Sequence, residues 1–421
     1  MTGPAASNNR RYDLSDRLIH FFRDVDITSD DAPATPEHWG YSSINEDVDM
    51  SAFFLLRHCI RQGRIWATWS FRDGRRTIHG PRPAVCFTEM PIAAFLETSR
   101  DRHAKGQAIS SYALVLPKRP TFGAGARPVI YGLSTGAWAT TDLGTGERRF
   151  PDAALPSAEQ YRYVAYDPSS GKLDWTHERE WRWPSDETPW SDPDGIPPSE
   201  SDEIPGLEID APVLQGIGVV VLTADEADRI VYDILTKVDR GDICEDHYQF
   251  ILASETVSDW ETLRDPDDLE AAIYGNLVDL APFFVGRRRD AEQMAAEIDR
   301  IAQEMESDTP RAKGAHYHED GGCWLWLRDN RHQMVRALVR LGRVQVGREG
   351  RYLVDLPAID RSRPLQQRQE MIDAVAARLA ADHDLPGTYY GVRDSWDPEA
   401  IPSFHNDDLE DDFFYNFSFH P

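Results

Sequence analysis

Apolar and polar positions along the chain fall into blocks with two distinct periods. Ala52, Leu55, Leu56 and Cys59 recur at helical spacing, which predicts an amphipathic helix stopped by Gly63. A short apolar run, Leu18 to Phe22, predicts an opening strand, and Ile65 to Thr68 starts another. Ala84 to Thr88 predicts a buried strand, and Pro91 leads into a helix carrying Ile92, Phe95 and Leu96. Tyr112 to Leu116 and Val129 to Tyr131 predict further strands, while Phe71 to Pro83 is Arg- and Gly-rich and reads as a mobile loop.

The next blocks predict a β-α-β unit. Gly218 to Leu222 is an apolar strand, and Thr223 with Glu226 forms a capping box. Ala227, Ile230, Val231, Ile234, Leu235 and Val238 form one helical stripe, and Tyr248 to Leu252 is the returning strand. Farther on come a charged helix over 288–306, a helix over 330–342, a hairpin at 344–346 and 352–354, and a helix over about 364–382.

The fold class expected is α+β. Residues 1–15 are expected as a disordered tail, 16–255 as one domain with inserts, and 256–421 as a C-terminal α+β domain with an acidic tail. A net charge of −27 disfavours non-specific binding to phosphate backbones, though it leaves room for a local basic groove. The cysteines, Cys59, Cys86, Cys244 and Cys323, lack paired spacing and fit a reducing compartment, so a cytoplasmic location is expected. No run reaches the ~18 apolar residues of a membrane span, so no membrane partner is expected.

Candidate chemistry concentrates in Trp175 to Trp183, which reads Trp-Thr-His-Glu-Arg-Glu-Trp-Arg-Trp. On a continuous strand, alternation would set Glu178, Glu180 and Arg182 on one face and the tryptophans on the other. Two carboxylates so placed suit a developing oxocarbenium ion: one holds the cation, the other takes a proton from the nucleophile. A plain salt-bridged strand is the competing reading. His20 could equally be an interior histidine, Thr88 and Glu89 a helix cap, Tyr131 a core residue, and Arg127 a turn residue before proline. His316, His318, Glu319, Asp320 and Cys323 lack a second half with matching spacing, so no metal is expected. Walker A and GxGxxG patterns are missing, which disfavours P-loop and Rossmann folds.

The order of these motifs is His20 in the first strand, then Phe87-Thr88-Glu89-Met90-Pro91, then Gly125-Ala126-Arg127-Pro128-Val129-Ile130-Tyr131, then Glu178-Arg179-Glu180-Trp181-Arg182. Over roughly residues 15–185 it resembles abortive-infection phage-resistance proteins of the AbiG type. More distantly it is similar to the ADP-ribosyltransferase superfamily, and the C-terminal third resembles an uncharacterised accessory domain. The resemblance implies a split β-sheet core and NAD as substrate. It casts Glu180 as the catalytic glutamate and Glu178 as the residue orienting the acceptor. His20, Thr88, Tyr131 and Arg127 would bind the dinucleotide, although the family's Ser-Thr-Ser is absent around Thr88. A toxin or phage-defence effector modifying a protein or nucleic acid would follow, with an antitoxin or other partner docking on the C-terminal domain. The alternative is a non-catalytic antitoxin or sensor with a degenerate fold that binds a basic partner. A metal-dependent nuclease using Glu89, Glu178 and Glu180 is a third reading.

Overall fold

The computed structural model describes residues 15–26, 49–72, 75–104, 110–134, 137–144, 146–166, 175–186, 206–257, 266–311, 320–347 and 350–400. The expected N-terminal tail, nearly all of the acidic stretch 24–48, His316, His318, Glu319 and most of the acidic C-terminal tail lie outside these residues.

The chain is mixed α+β and forms two compact units. Among the described residues, unit 1 runs to Ala227 and takes in Asp246–Val278, and unit 2 holds Asp228–Glu245 and the chain from Asp279. These limits differ from the division expected after residue 255.

In unit 1 the strands are β1 (Arg17–Phe21), β2 (Ala84–Thr88), β3 (Ala113–Pro117), β4 (Arg127–Pro128), β5 (Glu180–Pro184), β6 (Ile217–Val221), β7 (Tyr248–Ala253) and β8 (Leu277–Val278). They form one mixed sheet in the order β8-β7-β6-β3-β1-β2-β5-β4. The expected β-α-β unit is present: β6 and β7 pair in parallel, and only a crossover connection can join parallel neighbours. The capping box also forms, with Glu226 N–H on Thr223 Oγ1 at 3.2 Å and Thr223 N–H on Glu226 Oε2 at 2.9 Å.

Both faces of the sheet are buried. Ile19, Ala113, Val115, Val220, Phe250 and Leu252 pack with Phe95 and Leu96 of helix Ile92–Ala104. Leu18, Leu114, Leu116, Val219 and Val221 alternate to the other face and are equally buried. Helix Ala52–Gln62 is capped by Ser51, whose hydroxyl accepts from Phe54 N–H, and ends at Gly63 with φ 68°. Its expected stripe understates the burial, because every residue from Ala52 to Ile60 is enclosed.

Unit 2 carries a four-stranded antiparallel sheet made of β9 (Gly321–Leu327), β10 (Val344–Val346), β11 (Tyr352–Val354) and β12 (Gly387–Arg393), ordered β10-β11-β9-β12. Ile298 and Ile301 of helix Arg288–Asp308, Leu338 of helix Gln333–Arg340 and Val375 and Leu379 of helix Leu365–His383 pack over Leu325 and Leu327. Arg336 forks onto Asp239 at 2.5 and 2.8 Å, and the Tyr352 hydroxyl donates to the same carboxylate at 2.7 Å. All four cysteines of the chain are free thiols. Among the described residues, no helix is long and apolar enough to cross a membrane.

Candidate functional site

The expected strand through both glutamates does not form. Trp175–Glu178 is a 3-10 turn, Arg179 adopts φ 46°, and β5 begins only at Glu180. A left-handed backbone costs a non-glycine residue roughly 1–2 kcal/mol, so the surrounding bonds must hold it there. Alternation therefore applies to Glu180 and Arg182 but not to Glu178, whose placement is set separately.

Two hydroxyls supply that placement. Thr88, only 2% exposed, donates to the Glu178 carbonyl at 2.5 Å and accepts from Met90 N–H at 3.2 Å. Glu89 N–H adds a second bond to the Glu178 carbonyl at 3.3 Å. The Tyr131 hydroxyl accepts from Glu180 N–H at 3.1 Å and donates to the Trp175 carbonyl at 3.3 Å, so it spans the turn from end to end. Burial raises the Tyr131 pKa, which keeps this donor protonated. Thr88 and Tyr131, both expected to touch a dinucleotide, instead spend their hydroxyls on the backbone that carries the glutamates.

Arg182 balances Glu180. Its Nε donates to Glu180 Oε1 at 2.6 Å, and Nη1 donates to the Tyr161 and Tyr163 carbonyls at 2.6 and 3.2 Å. The Arg182 side chain is 5% exposed and that of Glu180 16%. Burial works against the arginine's charge, and the adjacent Glu180 carboxylate outweighs it, so its pKa stays above the ordinary value. Cys86 pairs with Arg182 across β2 and β5 and shares that face. Burial, then the Glu180 charge, pushes its thiol up to about 12, so it is no nucleophile near neutral pH.

Register decides which other residues join the site. Ile19 pairs with Thr88, and Thr88 pairs with Glu180, so these three share one face. His20 turns to the opposite face, against Phe22 at 4.9 Å and Phe87 at 5.9 Å between ring centroids. Its Nδ1 donates to the Cys86 carbonyl at 2.8 Å. Burial lowers its pKa to about 4, leaving a neutral ring. The convergence expected of His20 with Glu180 is therefore not made. Arg127 does not reach Glu180 either: its guanidinium donates to the Phe122 and Ala126 carbonyls and lies 4.1 Å over the Phe122 ring.

Glu89 also faces away from Glu180. Its carboxylate accepts from Trp181 Nε1 at 2.7 Å and from Lys118 Nζ at 2.5 Å. That removes it from a three-carboxylate group with Glu178 and Glu180.

One residue of this neighbourhood escapes a reading of the sequence. His79 lies in the stretch expected as a mobile loop, yet it is 2% exposed and stacks on Phe150 at 5.3 Å. The charges of Arg148 and Arg182 both act on it. Phe150 and Tyr163, which enclose it, are far along the chain, so no local periodicity announces its burial.

Among known proteins, residues 289–417 match the family model described as "Protein of unknown function (DUF4427)". No curated protein and no solved structure matches the chain.

Proposed function

We propose that unit 1 is a catalyst of the ADP-ribosyltransferase type that acts on NAD, with Glu180 holding the reacting ribose and Glu178 serving the acceptor. The observation that carries this reading is the pinned turn Trp175–Glu180. A strained Arg179 is held between two carboxylate-bearing residues by Thr88 and Tyr131. Strain of this kind persists where surrounding bonds enforce it, and it clusters at active sites.

In the reaction, the bond between ribose C1 and the nicotinamide nitrogen breaks and nicotinamide leaves with the electron pair. The oxocarbenium ion that develops is stabilised by the Glu180 carboxylate. The acceptor's nucleophilic atom then bonds to C1 and gives its proton to Glu178. Arg182 orients Glu180 through its 2.6 Å bond to the carboxylate. A macromolecular acceptor fits a toxin or phage-defence effector, with unit 2 available to recognise a target or an antitoxin.

The test is incubation of the full chain with NAD labelled in the nicotinamide and in the adenylate. Release of nicotinamide, with or without transfer of label, is expected, and Glu180→Gln should lower it about a hundredfold. Absence of release across protein, DNA and RNA acceptors would sink the proposal.

A second reading, a non-catalytic sensor or antitoxin that binds a basic partner, draws on the Glu180–Arg182 pair. An ion pair with 5% and 16% exposure is also what a structural strand would keep. Here NAD would leave the melting temperature unchanged, whereas a substrate that binds the folded state must raise it.

A further inference from the structure

The chain has a net charge of −27, yet cations gather on one patch of unit 1. Two hairpins, Phe71–Arg72 with Arg75–Arg76 and Thr140–Thr141 with Arg148–Arg149, are tied together there. Arg148 Nη1 donates to the Arg76 carbonyl at 2.9 Å, and Gly80 N–H donates to the Arg148 carbonyl at 2.7 Å. The Arg76 guanidinium lies 4.3 Å over the Trp69 ring. Arg75 and Arg148 are near enough for their charges to repel. Among the described residues neither makes an ion pair with a carboxylate. Glu147 binds Arg149 and its charge also acts on Arg76, while the charges of Asp152 and Asp142 reach Arg149. The buried Arg76 Nε has no hydrogen-bond acceptor among the described residues.

His79 adds an independent sign. The ring is 2% exposed, stacked on Phe150 and edge-on to Tyr163 at 5.0 Å. Neither ring nitrogen reaches a hydrogen-bond partner; the nearby Thr77 carbonyl favours the charged form without meeting bonding geometry. Burial first, then the charges of Arg148 and Arg182, lowers its pKa to about 3. The neutral ring thus has one N–H to give and one lone pair to share. Idle buried polar atoms are costly, and an anion's oxygens would give the His79 N–H a partner. Arg182, whose charge reaches His79, is the residue bonded to Glu180 at 2.6 Å.

We propose that Arg75, Arg76, Arg148 and His79 form a binding site for a phosphate-ester anion, the pyrophosphate of a small ligand whose reacting end lies at Glu180. The identity of that reacting end rests on the function proposed above; the anion site itself does not. Guanidinium forks match phosphate oxygens in pairs, which suits three arginines carried on two hairpins tied together. The size of the ligand follows from charge. A nucleic-acid strand would meet the repulsion of a strongly acidic chain along its length, while a compact polyanion meets only the local cations.

Titration calorimetry on the full chain at low salt tests this, with inorganic pyrophosphate in one arm and a short single-stranded RNA in the other. Saturable binding of pyrophosphate is expected, weakened about tenfold by Arg75→Gln and by Arg148→Gln. Arg75 is exposed, so its variant should melt with the wild type and report binding alone. Glu180→Gln should keep its affinity for pyrophosphate even though it loses NAD cleavage, which separates this inference from the catalytic one. No saturable binding by wild type, undiminished affinity in both arginine variants, or tighter binding of RNA through the same arginines would overturn it.

Discussion

Glu180 and Arg182 stand two residues apart on one face of a strand, and the guanidinium Nε lies 2.6 Å from the carboxylate. Because the arginine is the more buried partner, the pair is asymmetric: it depends on the glutamate more than the glutamate depends on it. Glu180→Ala should therefore cost about 3 kcal/mol of stability by leaving a buried charge without its counterion. Glu180→Gln keeps an acceptor and should cost about 1–2 kcal/mol. Urea titration would show this ordering as a stepwise fall in the midpoint at constant slope.

Thr88 is expected to act through position alone. Thr88→Val removes the donor to the Glu178 carbonyl and should cost about 1–2 kcal/mol, together with most NAD cleavage. Thr88→Ser restores the hydroxyl and should recover both. Full activity in the valine variant would show that this clamp does not set the site.

Acid should weaken unit 1 through its buried histidines. His20 and His79 are held at about 4 and about 3, against roughly 6.5 for an unfolded histidine. Below about pH 6.5 the unfolded chain takes up protons that the folded chain refuses, so stability falls as pH drops toward 4 and below. Above about 6.5 this contribution is complete and flat. His79→Phe should reduce the loss between pH 6.5 and 4 and leave stability at pH 7 undiminished. Equal pH slopes for variant and wild type, measured by denaturant midpoints, would contradict it.

In unit 2, Asp239→Asn strands the Arg336 guanidinium, whose side chain is 8% exposed, and should cost about 3–5 kcal/mol. The double variant Asp239→Leu with Arg336→Met removes both charges and should cost less than either single change. A double-mutant cycle by urea denaturation checks the sign of that coupling.

Much of the scaffold could be read from pattern alone, because its signals are local. The stripe from Ala52 to Cys59, the strand Ala84–Thr88 and the Thr223–Glu226 capping box each lie within one helix, strand or turn. The site was less legible. Trp175 to Trp183 can be laid out as one strand by placing tryptophans on alternate positions, and nothing about an arginine announces φ 46° at position 179. The apolar run predicts the first strand that holds His20, but the face of His20 depends on the pairing of Ile19 with Thr88, a relation between distant segments. The burial of His79 is invisible to local pattern for the same reason, since distant aromatics enclose it.

The turn at Arg179 gives each glutamate its own keeper. Thr88 holds the backbone at Glu178, and Tyr131 holds it at Glu180. Carboxylates on an unbroken strand would shift as a pair with any movement of the sheet. Here one can be readjusted while its neighbour stays put. Drift in sequence could then reposition Glu178 without disturbing Glu180.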